Sequence, residues 1–213
     1  PGDRVLSGEQ IVEDYTHDEC LTADAVTPAV VVCPESTDEV AAVLRYADVE
    51  RIPVTARGSG TGLSGAAIPG ATSILVSFER MNKVLELDTD NHMAVVQPGV
   101  RLNELDEVTR AHGLVYPVYP GEYSASLGGN IATNAGGMRA VKYGVTRHQV
   151  LGLEARGGRG QAPAFMASIV SAVRCSNVSS VQTSVAWSWQ RRVPMVSPGR
   201  VAVSSAGASG VPS

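Results

Sequence analysis

Beyond Ala155 the sequence contains no aspartate, no glutamate and no lysine. The first 155 residues carry 11 basic residues against all 21 acidic ones, a net charge of −10, whereas the last 58 carry six arginines and a net charge of +6. Soluble chains mix both signs along their length, so the break needs an explanation. Cysteine is scarce: Cys20, Cys33 and Cys175 are too few and too scattered for a disulfide framework or a C-x-x-C metal pair, which suits a reducing compartment and points to the cytoplasm. His17, His92, His112 and His148 show no metal-ligand spacing, so no metal site is expected. No apolar run approaches the roughly 18–20 residues of a membrane span. The start, Pro1-Gly2-Asp3-Arg4, has neither a Met nor a basic-then-apolar signal pattern, and residues are expected to be missing upstream. Against these absences, an apolar share of 44% is ordinary for a globular chain.

From Ala29 the secondary-structure signals are sharp. Ala29–Cys33 is a short β-branched run stopped by Pro34, a buried strand. Ser36-Thr37-Asp38-Glu39 has the form of a capping box, and Val40, Val43, Leu44 and Ala47 follow at helical spacing, which predicts a helix over 37–50. Ile52–Ala56 reads as a strand that runs into a glycine-rich loop. Ser73–Ser77, Val84–Asp88 and Met93–Gln97 are strand candidates. Leu102, Leu105, Val108 and Thr109 mark a second helix, stopped by Gly113. Ile131-Ala132 begins a helix or crosses a buried surface, and Val150–Ala155 reads as half of a strand pair whose partner does not follow. Interleaved strands and helices point to a mixed α/β or α+β fold.

The stretch 156–213 shows no sustained period and ends in a run of Ser, Ala and Gly. Its composition of Arg, Gly, Ala, Ser, Pro and Val is what a shifted reading frame yields in GC-rich coding DNA. The alternatives are a flexible tail and a basic nucleic-acid arm, although six arginines spread over 58 residues make no cluster and no nucleic-acid partner is expected. The expected organisation is therefore a domain over 1–155 and a non-native or disordered tail over 156–213.

Two glycine-rich segments carry the chemistry. Arg57-Gly58-Ser59-Gly60-Thr61-Gly62-Leu63-Ser64-Gly65 directly follows a strand. Missing Cβ atoms let backbone N–H groups close on an anion, and a diphosphate is the ligand such a nest suits. Gly60–Gly65 also matches G-x-G-x-x-G, but the dinucleotide fingerprint needs a long helix at the loop, and Pro69-Gly70 would stop one at once. The second segment, Pro120–Gly137, is rich in small residues and side-chain donors and is bounded by Lys142-Tyr143-Gly144. If buried, so few large apolar groups require hydrogen-bonding partners, which a polar ligand supplies; a bare turn and a long surface loop remain the bland readings of the two segments.

Together with the run Tyr143-Gly144 to Ala155, these segments resemble the FAD-binding domain of the vanillyl-alcohol oxidase/p-cresol methylhydroxylase superfamily. The likeness covers roughly residues 10–155 and is greatest for the glycolate oxidase FAD subunit and D-lactate dehydrogenases. The resemblance implies an α+β domain of two subdomains with FAD between them, the second subdomain incomplete. It implies that Arg57, Gly58, Ser59, Gly60, Thr61 and Gly62 hold the diphosphate. The second FAD-contacting segment would supply Gly121, Ser124, Ser126, Gly129, Thr133, Asn134, Gly136 and Gly137, with Gly144 beyond it. The stretch Gly58–Gly62 lacks the histidine of members with covalent flavin, so non-covalent FAD is expected. The implied reaction is oxidation of a small 2-hydroxy acid to a 2-oxo acid, and related glycolate oxidases carry an iron–sulfur subunit as partner. The family's closing G-[ST]-E-G-T segment and its substrate domain are absent, so no catalytic residue is assigned and this chain alone is expected to be inactive. The alternatives are a fragment that holds no cofactor, an NAD-binding enzyme, and another FAD-linked oxidase of the same superfamily.

Overall fold

The structure, a computed structural model, describes residues 3–156 and 167–177. The first sheet has the order β1-β2-β4-β3, with β1 at Val5–Leu6, β2 at Val30–Val32, β3 at Val54–Arg57 and β4 at Ile74–Ser77. β1 is antiparallel to β2, while β2, β4 and β3 run parallel. Helix α1, Thr37–Glu50, joins β2 to β3. Its Val40, Leu44 and Ala47 pack with Ile74, Val76, Phe78 and Met81. On the other side of β4, Leu75 joins Val31, Cys33 and Tyr15. A strand covered on both faces is apolar throughout, which is why Ile74-Leu75-Val76 shows no alternation.

The start of α1 departs from the sequence expectation in one bond. Ser36 Oγ accepts the Glu39 N–H at 3.3 Å, as a cap should. The Glu39 carboxylate does not return to Ser36; it accepts the Glu35 N–H at 2.8 Å and two bonds from Arg4 at 2.8 and 2.9 Å. A guanidinium within reach outcompetes a neutral N–H for a carboxylate. The helix ends at Arg51, whose φ of 57° is left-handed, before Pro53.

The second sheet is antiparallel throughout, in the order β5-β6-β9-β8. Its strands are β5 at Val84–Asp88, β6 at Met93–Val96, β8 at Val150–Arg156 and β9 at Ala167–Arg174. Helix α2, Leu102–Arg110, contributes Leu102 and Leu105 to a core with Ala94, Val96, Leu127 and Val173. Val108, expected on the inner face, is 37% exposed. A short pair, β7 at Leu114–Val115 with β10 at Ser176–Asn177, lies beside it. Helix α3, Leu127–Thr133, lies in the second glycine-rich segment, and α4, Ala140–Tyr143, follows it.

One expectation is corrected here. β8 does find an antiparallel partner in β9, and Val173 and Cys175 are buried. Val173 points inward, Arg174 outward and Cys175 inward, an alternation too short to register as a period in the sequence. The rest of the expected tail, 157–166 and 178–213, lies outside the described residues. The two-subdomain α+β architecture is as expected.

The two subdomains share a seam at Pro98–Arg101. Gly99 N donates to the Met81 carbonyl, which follows β4, at 2.8 Å. From the other side, Leu127 N donates to Val100 O and Gly128 N to Pro98 O, both at 2.8 Å. Arg101 also pairs with Ser126 in an isolated antiparallel bridge.

Candidate cofactor site

β3 delivers Arg57 and the glycine-rich loop to the carboxyl end of the parallel strands, the edge at which open α/β sheets bind ligands. A cleft of about 320 Å³ opens there, lined by Tyr15, Arg57, Gly58, Ser59, Glu79 and Arg101 among others. The Arg57 guanidinium is buried; desolvation pulls its pKa below the ordinary value, while Asp14, Asp18, Tyr15 and Glu79 hold it up. At the cleft edge the Tyr15 hydroxyl donates to the Glu79 carboxylate at 2.9 and 3.0 Å, and the Cys33 thiol donates to it at 3.3 Å. Burial, aided by the Glu79 charge, pushes the Cys33 thiol up to about 11, so it is a neutral donor at pH 7.

The loop after β3 forms no helix, which removes the Rossmann reading of Gly60–Gly65. Gly60 has φ +71°, and a Cβ there would overlap the Arg57 guanidinium, so a side chain is excluded both by conformation and by space. Among the described residues, no backbone N–H from Gly58 to Ser64 donates an intramolecular hydrogen bond. A run of free donors beside a buried guanidinium is the arrangement that accommodates a diphosphate. The residues therefore fit the expected group at this loop.

The loop and its flanks are tied to residues 17–19. Arg57 Nη1 donates to the His17 carbonyl, Glu19 N donates to the Gly62 carbonyl at 2.9 Å, and Ala67 N donates to Asp18 Oδ2 at 3.3 Å. Sequence reading missed Tyr15, Asp18, Glu79 and Arg101. Glu79 carried one signal, a charged residue directly after a buried strand; Asp18 carried none.

The second glycine-rich segment meets the first at Gly58. A Cβ on Gly58 would overlap Ser126 Oγ, so glycine is what lets the loop touch the start of α3. Ser126 Oγ accepts the Gly129 N–H at 3.4 Å as the cap of that helix. The Asn130 Nδ2 nearby in α3 is buried without a partner among the described residues. The remaining expected residues hold the segment's own fold. Thr133 Oγ1 donates to Gly129 O at 2.9 Å, Asn134 Oδ1 accepts the Arg147 N–H at 3.1 Å, and Gly144 ends α4. Gly136 and Gly137 pack against Val145 and the Tyr119 carbonyl, and Gly121 and Ser124 are exposed. Of the expected residues, Arg57, Gly58 and Ser59 line the cleft; Gly60, Thr61, Gly62, Gly121, Ser124, Ser126, Gly129, Thr133, Asn134, Gly136, Gly137 and Gly144 do not. The segment is also less buried than expected: between Gly121 and Gly137 only Ala125, Ser126, Leu127 and Asn130 are buried. Its small residues are divided between helix α3 and irregular chain on either side of it.

Among the described residues no group of three or more His, Cys, Asp or Glu side chains is arranged to hold a metal ion, and no helix is long and apolar enough to cross a membrane. Comparison with known proteins adds the following. The sequence model of the FAD binding domain matches residues 28–162. An uncharacterized FAD-linked oxidoreductase of Mycobacterium tuberculosis is 60% identical over 151 residues, 71% of this chain and 33% of that protein. A D-lactate dehydrogenase of Anaerostipes hadrus is 48% identical over 147 residues, 69% of this chain and 31% of its own length. Among solved structures, alkyldihydroxyacetonephosphate synthase superposes with a TM-score of 0.72 at 18% identity, covering 83% of this chain and 38% of that one. The chain thus spans about a third of the length of these curated relatives.

Proposed function

The chain belongs to the FAD-binding domain family, and we propose that it holds FAD without a covalent bond, as the cofactor-binding part of a dehydrogenase that oxidises a small 2-hydroxy acid to the 2-oxo acid. The observation that carries this reading is the run of unengaged N–H groups from Gly58 to Ser64 beside the buried Arg57. Those donors bind the diphosphate, and Arg57 offsets part of its charge. The flavin, when bound, supplies the hydride acceptor. The stretch Gly58–Gly62 contains no histidine or cysteine to attach it. The relative named D-lactate dehydrogenase supports the 2-hydroxy acid as substrate class. The base for the hydroxyl proton and the cation for the carboxylate are assigned to the part of the relatives' length outside this chain, which alone should not turn over. An iron–sulfur subunit is proposed as electron-transfer partner on the glycolate oxidase resemblance, and the cytoplasm as location on the three free cysteines.

The test is a flavin titration of the chain followed by acid precipitation. The supernatant should take the yellow colour, and Gly60→Val, still folded by circular dichroism, should bind FAD at least about tenfold more weakly through lost backbone approach. Colour retained on the acid pellet overturns the non-covalent assignment. Unchanged affinity in Gly60→Val overturns the loop assignment.

A further inference from the structure

The residues that hold the glycine-rich loop in shape lie ahead of the family match, which begins at residue 28. His17, Asp18 and Glu19 each tie it down: a carbonyl to Arg57, a carboxylate to Ala67 N and an N–H to the Gly62 carbonyl. Asp18 is the centre of this grip. It is only 6% exposed, its Oδ1 accepts the Cys20 N–H at 3.0 Å, and its Oδ2 accepts the Ala67 N–H at 3.3 Å. A Cβ on Gly62 would stand 3.6 Å from that same oxygen, so the carboxylate packs directly under the loop. A buried carboxylate is costly and is retained where its hydrogen bonds fix something. Here it packs against the loop at Gly62 and takes the Ala67 N–H. The N–H groups from Gly58 to Ser64 donate to nothing among the described residues and are left for a ligand.

We propose that Asp18 is a positioning residue for the cofactor diphosphate: a negative charge that strengthens the binding of an anion by fixing the backbone that binds it. The inference rests on the FAD reading of the loop. It carries a sign that separates it from simple electrostatics. Removing a carboxylate close to an anion site relieves repulsion and should tighten binding of a diphosphate. Removing a positioning residue should loosen it, because the ligand must then order the loop itself.

The experiment compares the full chain with Asp18→Asn and Asp18→Ala in titrations with FAD, ADP and riboflavin, alongside amide hydrogen exchange of the ligand-free proteins. Asp18→Asn keeps the shape and loses the charge and one acceptor, so it serves if the alanine variant does not fold. FAD and ADP should bind about tenfold more weakly to either folded variant, the scale of one charge-assisted hydrogen bond. Riboflavin, which has no diphosphate, should be unaffected relative to the parent chain. Exchange should rise at residues 58–67 and stay unchanged in β4 and α2. Equal or tighter ADP binding by the variants overturns the proposal. So does a rise in exchange spread evenly over the molecule, which marks a merely structural role. If the unsubstituted chain binds neither FAD nor ADP, the cofactor reading falls and this proposal with it; if it binds both and the variants match it, this proposal alone falls.

Discussion

The contact of Gly58 with Ser126 shows how much one hydrogen atom in place of a methyl group can decide. A methyl on Gly58 would occupy the space of Ser126 Oγ, which also caps α3. Gly58→Ala should therefore cost about 1–3 kcal/mol through overpacking. Ser126→Ala alone should cost about 1 kcal/mol through the lost cap. In the double variant the overlap with Oγ is gone and only a tight 3.1 Å contact with the residue 126 Cβ remains, so its cost should fall short of the sum, a coupling read directly from urea midpoints. Additive costs would mean that the two glycine-rich segments do not touch. That glycine is needed here was legible in the sequence as a glycine-rich loop, but its reason was not. The sequence pointed to approach by a ligand, whereas at Gly58 the approaching atom belongs to the protein. Asp18 was invisible for a different cause: a buried acid in an irregular segment has no period to stand out against.

Elements with a buried face were legible, and those that depend on a neighbour were not. Helix α1 falls on 37–50 as its spacing predicts, and β4, β5 and β6 fall within a residue of expectation, because cap, period and stop signals agree at each. β7 and β10 are two residues each, too short for any pattern. β9 escaped because Ala167–Arg174 mixes Ala, Ser and Arg with Ile169, Val170 and Val173 in no strict alternation. Yet β9 pairs with both β6 and β8, so the second sheet depends on it. Val173 is fully buried, and Val173→Ala should lower stability by about 1–3 kcal/mol in chemical denaturation, as loss of core methyl groups does. A change below about 0.5 kcal/mol, the range of ordinary surface substitutions, would remove β9 from the folded domain.

At the scale of the molecule, both subdomains bury an ionisable thiol. Cys33 lies in the first and Cys175 in the second, and burial pushes each up to about 11, from an ordinary value near 9. The native state therefore keeps protons that the unfolded chain releases, and the linkage sign is negative. The contribution of the two thiols to stability is full below pH 9, falls as pH rises, and levels off near pH 11, while the Tyr15 and Tyr116 hydroxyls, also raised by burial, add to the fall from about pH 10 upward. Each thiol sets a limit of about 1.4 kcal/mol per pH unit in that window. Urea midpoints measured from pH 8 upward should show the fall, and Cys33→Ala with Cys175→Ala should flatten it between about pH 9 and 10, before the tyrosines titrate. A profile unchanged by the double replacement would place the titrating groups elsewhere. The two subdomains that hold these thiols are joined at the seam Pro98–Arg101, where one short stretch of chain is hydrogen-bonded to Met81 on one side and to Leu127 and Gly128 on the other. A joint sewn on both edges is a poor hinge. The groove between the subdomains then has a fixed width, and a ligand enters by diffusion into a preformed slot instead of triggering a clamp. Binding should advance in one phase whose rate grows in proportion to ligand concentration, with no slow closing step to set a ceiling.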